Sequence, residues 1–377
     1  MADDNPYSEG TVLKIHRHLP PEPFGAINEV RYGTKDRREW NAFCSNVDYW
    51  WNHRVEFALA HPPITTAKVK CPESRTFTVT RTIQSSEDTD GAMVIEGANG
   101  KRNELIAKVY DGVYYSLDLL LGDPCDPRYP DVMTKADMDY ALESRAYEQI
   151  RIAGFAGSIV PNFYGAWTIS LPVKTENNNA TTRPVRMILL EKIHDARTMK
   201  KDVLHYELLP PESTRTEVLR NLLVAYNLLW WYAEVELQPI IGPGNVLIRK
   251  DNSVVLINFN YAIVHPYISV VEHWTDHPKK DPTDLCPHPV LLHWPFGAGF
   301  RSNAFLVSDW WQWIPQGWLN DPEQAAEWLL ESHSLFDSTR FGPLTERFLD
   351  SPGHNNRSPK VLQLLEELGR KARSTGH

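Results

Sequence analysis

The stretch Leu237-Gln-Pro-Ile-Ile-Gly-Pro-Gly-Asn-Val-Leu-Ile248, a polar turn, and then Val254-Val-Leu-Ile-Asn-Phe-Asn-Tyr-Ala262 decide how this chain is read. Two short apolar runs around a polar turn predict a β-hairpin. Asn245 stands just before the first run, and Asn258 just after the second. No Asp or Glu lies between Leu237 and Lys250, so a small shift of register brings no acid into this segment. Glu236 is the nearest, and at the end of the preceding helical pattern it is expected to be solvated.

Upstream of the hairpin the pattern changes twice. Phe77-Thr-Val-Thr-Arg-Thr-Ile83 alternates, and Ala92-Met-Val-Ile95 is a short apolar run. Asn99-Gly100 is a hairpin turn signal, with Glu104-Leu-Ile-Ala-Lys-Val-Tyr110 as the partner strand. Met138, Leu142, Ala146 and Ile150 then recur at helical spacing, with Thr134 and Asp137 as a capping box. Two strands are expected next, from Ile159 and over Val185–Glu191. Leu219, Leu222, Leu223, Tyr226, Leu229 and Ala233 predict a second helix, capped by Thr214 and Glu217 and too apolar for a surface element. Downstream, Glu323–Leu330 and Pro359–Ala372 read as helical. Trp310, Trp311, Trp313 and Trp318 read as core between helices rather than as a recognition platform.

The 377 residues leave room for two domains or one two-lobed domain, and 42% hydrophobic content is that of a folded protein. A net charge of −9 argues against a nucleic-acid partner. No apolar run is long enough to predict a membrane span. The acidic start Met-Ala-Asp-Asp-Asn-Pro lacks the order of a secretory signal. Cys44, Cys71, Cys125 and Cys286 are scattered, which is expected of reduced thiols in a cytoplasmic protein, with the nucleus open as well. His16, His18 and the Cys286-Pro-His288 group lack partners at zinc spacing, so no metal site is expected.

Six pieces in order carry a resemblance: Ile106-Ala-Lys108-Val-Tyr-Asp111, Glu143-Ser-Arg-Ala-Tyr147-Glu148, Pro161-Asn-Phe-Tyr-Gly165, Arg186-Met-Ile-Leu-Leu-Glu191, Gly242-Pro-Gly-Asn245-Val-Leu-Ile and Leu256-Ile-Asn-Phe-Asn260. With them the chain resembles fungal protein-kinase-like proteins, relatives of the aminoglycoside phosphotransferases, over about residues 77–330. The resemblance implies an α+β, protein-kinase-like bilobal fold. Residues 1–70 would be an N-terminal extension, 71–190 a small β-rich lobe, and 191–377 a larger, mainly helical lobe with Trp-rich C-terminal helices. It also implies cofactor-binding positions. Lys108 would hold nucleotide phosphates and Glu143 would pair with it, with Glu148 as the rival acid. Glu191 would end the strand beside the adenine site, and Asn245 and Asn258 would stand at the metal-binding positions.

The departures weigh more than the matches. In the family, a base Asp stands five residues before the metal-binding Asn, and a second Asp precedes Phe-Gly. Here those places hold Ile240 and Asn258. Ile240 accepts no proton, and a neutral amide oxygen is a poor ligand for a hard divalent cation. The loop expected over the phosphates carries Glu87, Asp88 and Asp90 in place of a Gly-rich run; near a triphosphate these charges would repel it, and otherwise they read as a solvated loop tip. The expected function is therefore that of a pseudokinase, a scaffold or regulatory binding protein with a protein partner and no catalytic residues. ATP binding would be absent, or weak and little dependent on magnesium. The alternative is an active phosphotransferase with non-standard residues; a third is an assembly subunit with a closed cleft.

Overall fold

The computed structural model describes residues 5–23, 47–64, 73–84, 91–100, 104–116, 131–174, 179–200, 209–237 and 243–265, with shorter stretches between 285 and 370. Ile240, the acidic loop 85–90, Trp40, Trp310, Trp311, Cys44, Cys71, Cys125 and His288 lie outside the described residues. The chain divides into two compact units, residues 1–193 with 258–273, and residues 194–257 with 274–377.

The first unit is built on a closed antiparallel barrel of six strands, in the order β1-β2-β3-β4-β6-β5. They are β1 (Val12–His18), β2 (Ser74–Gln84), β3 (Met93–Ala98), β4 (Leu105–Tyr110), β5 (Phe163–Lys174) and β6 (Ala180–Glu191). Side chains alternate between the two faces of a strand, and the interior set follows that period. Leu105, Ala107 and Val109 of β4 face Val185, Met187 and Leu189 of β6, with Leu13, Ile15, Phe77, Val79, Ile95, Trp167 and Ile169 around them. These side chains form one buried core inside the barrel. At Gly97 of β3, a Cβ would lie 2.3 Å from the Thr78 carbonyl oxygen and 2.5 Å from the Phe77 ring, so only glycine fits there.

This architecture overturns the expected α+β, protein-kinase-like bilobal fold with a small β-rich lobe, a mainly helical second lobe and an N-terminal extension. The physical reason is β1. Val12-Leu-Lys-Ile-His-Arg-His18 comes from the stretch expected to be an extension, yet it pairs with β2 on one side and β5 on the other. It thereby satisfies the open backbone groups of both edges, which an open sheet would leave exposed. The second unit is not the large helical lobe either. Its described residues form β7 (Arg197–Thr198), α3 (Glu212–Tyr232), β8 (Val235–Glu236), the strands β9 (Val246–Ile248) and β10 (Val254–Leu256), and α4 (Pro322–Glu331).

Helix α1 (Val47–Ala60) precedes β2, and α2 (Val132–Ile152) packs on the outer face of β4, β5 and β6. The expected Thr134–Asp137 capping box is replaced by Asp131, whose carboxylate accepts from the Met133 and Thr134 amides and the Thr134 hydroxyl. Helix α2 stops at Gly154, in the left-handed region at φ +83°, where the Phe155 amide donates to Ile150 O and the Gly154 amide to Arg151 O. The Thr214–Glu217 cap likewise does not form. Helix α3 starts earlier, behind Pro211, and has no side-chain cap.

The predicted hairpin is present as β9 and β10, with Val254 opposite Ile248 and Leu256 opposite Val246, and β7 adds a third strand. In the same unit Trp313 is fully buried, while Trp318 is half-buried against Trp328, ring centroids 4.8 Å apart. No helix among the described residues is long and apolar enough to cross a membrane.

Candidate functional site

Lys108 sits between Ala107 and Val109, both interior, so the pleat of β4 turns its side chain to the outer face of the barrel. Helix α2 covers that face, and Glu143 lies on its buried side with no solvent exposure. Lys108 Nζ donates to Glu143 Oε2 at 2.5 Å and to Asn258 Oδ1 at 2.8 Å. Glu143 Oε2 also accepts from the Tyr110 hydroxyl at 2.6 Å, and its Oε1 accepts from the Phe259 amide at 3.1 Å. A buried carboxylate is tolerated when it is paired and its lone pairs are used. Glu143 meets both conditions.

The segment after Ile257 is held against α2 by more than this carboxylate. Phe259 lies edge-on to the Tyr147 ring, centroids 4.9 Å apart, and Tyr147 stacks on Phe163. Gln149 donates to His265 O at 3.0 Å, and Lys135 lies over the Tyr261 ring at 5.0 Å. Asn258 has φ +67°, a left-handed conformation that asparagine tolerates better than most side chains. One turn before Glu143 on α2, Asp139 pairs with Lys135 and accepts from the Tyr115 hydroxyl at 3.4 Å. Burial, with Glu143 adding to it, holds the Asp139 carboxyl above the usual carboxylate range despite the Lys135 ammonium beside it. Burial and then the Glu143 charge push the Tyr110 hydroxyl well above its ordinary range, so it remains a donor.

The structure therefore brings together Lys108, Glu143 and Asn258. It also separates the two candidate acids. Glu148 lies round the helix from Glu143 and pairs with Arg151 at 2.8 Å. Glu191 is elsewhere, at the end of β6. Its Oε2 accepts from the Asn162 amide at 3.0 Å and side-chain nitrogen at 2.9 Å, and its own amide donates to Asn162 O. Asn245 belongs to the second unit, in a short 3-10 turn before β9, where its carbonyl accepts from the Ile257 amide at 3.0 Å.

Sequence reasoning missed Tyr110 and the main-chain donor of Phe259. Tyr110 was accessible in principle, because it lies two residues after Lys108 and so shares its face of β4. The Asp139–Lys135 pair was also legible as an i, i+4 spacing leading to Glu143. The Phe259 amide had no signal at all, since any residue but proline would supply it.

A second buried cluster adjoins the first. Asp111 accepts from both terminal nitrogens of Arg183, at 2.6 and 2.7 Å, and from the Tyr7 hydroxyl at 2.6 Å. Burial opposes the Arg183 charge, but the Asp111 carboxylate outweighs it and holds the guanidinium protonated. The cavity between His61, Tyr110, Asp111, Asp137 and Arg183 is about 20 Å³, room for one water and far too small for a nucleotide.

The donor set does not suit a magnesium nucleotide. Phosphoryl transfer needs anionic oxygens on the metal and a group to orient the nucleophile. Asn258 offers a neutral oxygen, and that oxygen is turned to the Lys108 ammonium. Glu143 is committed to three donors. Among the described residues no group of three His, Cys, Asp or Glu side chains is placed to hold a metal. Neither the models of known protein families nor the sequences of curated proteins give a significant match to this chain.

Proposed function

We propose that this chain is a non-catalytic binding protein, a scaffold or regulatory protein that keeps the lysine–glutamate pair of a phosphotransferase without its acids. The observation that carries the reading is the 2.8 Å hydrogen bond from Lys108 Nζ to Asn258 Oδ1. With Glu143 on its other side, the ammonium is neutralised within the fold, and the residue at the metal-binding position serves as its acceptor. The order of the sequence motifs favours descent from fungal protein-kinase-like proteins. The partner is a protein, and the scattered cysteines favour the cytoplasm or nucleus as its compartment.

The test uses the purified full chain with magnesium ATP and a generic protein acceptor. No phosphoryl transfer is expected, and ATP should raise the melting temperature no more with magnesium than with a chelator. Magnesium-dependent transfer that disappears in Lys108→Ala would overturn the reading.

A further inference from the structure

The same N-terminal stretch that closes the barrel also touches α2 at several points. Tyr7 is fully buried and donates to Asp111, the residue that caps the short 3-10 turn after β4. The amides of Gly10 and Val79 tie the entry of β1 to β2 through Val79 O and Thr11 O. At the other end, His18 Nδ1 lies 2.9 Å from Leu19 O, which can only accept, so Nδ1 carries the proton and Nε2 is an acceptor. The Tyr140 hydroxyl of α2 donates to that Nε2 at 3.1 Å. Two residues on, Arg145 of α2 donates to Pro20 O at 2.8 Å and Pro21 O at 3.2 Å.

These contacts lead to the Lys108 site by direct packing. Tyr140 meets the Tyr110 ring edge-on, centroids 5.3 Å apart, and the Tyr110 hydroxyl donates to Glu143. Arg145 and Glu143 are near neighbours on α2, one facing the strap and the other facing Lys108. The helix therefore has one grip on the N-terminal segment and one on the site.

We propose that residues 5–23 act as a built-in positioning strap, which closes the barrel with β1 and grips α2 through His18, Pro20 and Pro21 so that Glu143 is held at Lys108. A protein that takes up this segment would thereby loosen the Lys108–Glu143–Asn258 cluster without touching it. This inference needs no assumption about catalysis and stands or falls apart from the binding-protein reading.

Contiguity alone does not establish coupling, so the test measures it. Hydrogen exchange read by mass spectrometry is compared between the wild-type chain and the double variant His18→Phe with Arg145→Ala. Peptides from α2 that contain Glu143 should exchange at least about tenfold faster in the variant, the lower bound for a local opening that has lost three hydrogen bonds. Peptides from β3 and β4 should keep their wild-type rates. Ile95→Ala, which weakens the barrel core on β3, a strand bonded to β2 and β4 and not to β1, serves as control and should not loosen α2 selectively. If the double variant does not fold, Arg145→Ala alone carries the test, because its bonds to Pro20 and Pro21 lie outside the strand ladder. Wild-type protection of α2, a uniform increase over all peptides, or the same selective loosening in the control would each overturn the proposal.

Discussion

Replacing Glu143 by Ala should be among the most damaging single changes in the first unit. The substitution removes the acceptor of three donors at once, the Lys108 ammonium, the Tyr110 hydroxyl and the Phe259 amide. Breaking a buried ion pair by truncating one partner costs about 3–5 kcal/mol, because the other charge is left uncompensated. Lys108 is 12% exposed and keeps Asn258 as an acceptor, which places this loss near the lower end. The two neutral donors add roughly 1 kcal/mol each, and contacting groups do not add fully, so about 4 kcal/mol is expected in all. At ~3 °C per kcal/mol for a domain of this size, the melting temperature should fall by about 12 °C. The assay is chemical and thermal denaturation followed by circular dichroism, on Glu143→Ala and on the double variant Lys108→Met with Glu143→Leu. The double variant replaces the pair with apolar groups of similar volume and should recover to within about 2 kcal/mol of wild type. A Glu143→Ala protein within about 1 kcal/mol of wild type would refute the reasoning, since the carboxylate would then not be the hub that its contacts describe.

Three further outcomes follow from single features. Burial lowers the His18 pKa from 6.5 to about 4, so the neutral ring is favoured by folding. Its stabilisation is complete above pH 6.5 and is lost as the pH falls towards 4. That loss is about 3 kcal/mol, to be read as a difference in urea midpoints between pH 7 and pH 4 that shrinks in His18→Phe. Asp131→Ala removes the acceptor of the first α2 amides and should cost about 1–2 kcal/mol in denaturation, and an unchanged midpoint would reject the cap assignment. Gly97→Ala forces a Cβ onto the Thr78 carbonyl, which belongs to a paired strand and cannot move cheaply. About 2–3 kcal/mol of destabilisation is expected, and a neutral effect in thermal melts would count against the β2–β3 register.

Much of the candidate site could be read from residue order. Lys108 in an apolar strand and Glu143 in the following helix were legible as a pair, and the structure joins them. The choice between Glu143 and Glu148 was not legible, because both are helical acids in one short motif and only the rotation of α2 tells them apart. Asn258 was singled out for what it lacks, a carboxylate, whereas its use as the acceptor for Lys108 appears only when the chain after Ile257 is laid against the helix. Tyr110 went unread because a tyrosine at the end of a strand carries no charge to attract notice. The strand Val12–His18 went unread because its alternation is broken by histidines and arginine. One of those histidines, His18, is buried against α2.

Short-range features of this protein are legible in its residues alone. Strand alternation, the hairpin around residues 249–253, the helical spacing of α2 and the absence of acids at positions 240 and 258 are properties of residues and their near neighbours. Tertiary structure alone decided that the sheet closes, which strand closes it, and which acid meets Lys108. A period-two pattern says that a strand has an inner face, but every antiparallel neighbour satisfies that requirement equally. The choice of neighbour is set by contacts between residues far apart in the chain, such as Ile15 with Ile169 and Tyr7 with Asp111, whose energies have no counterpart in local sequence.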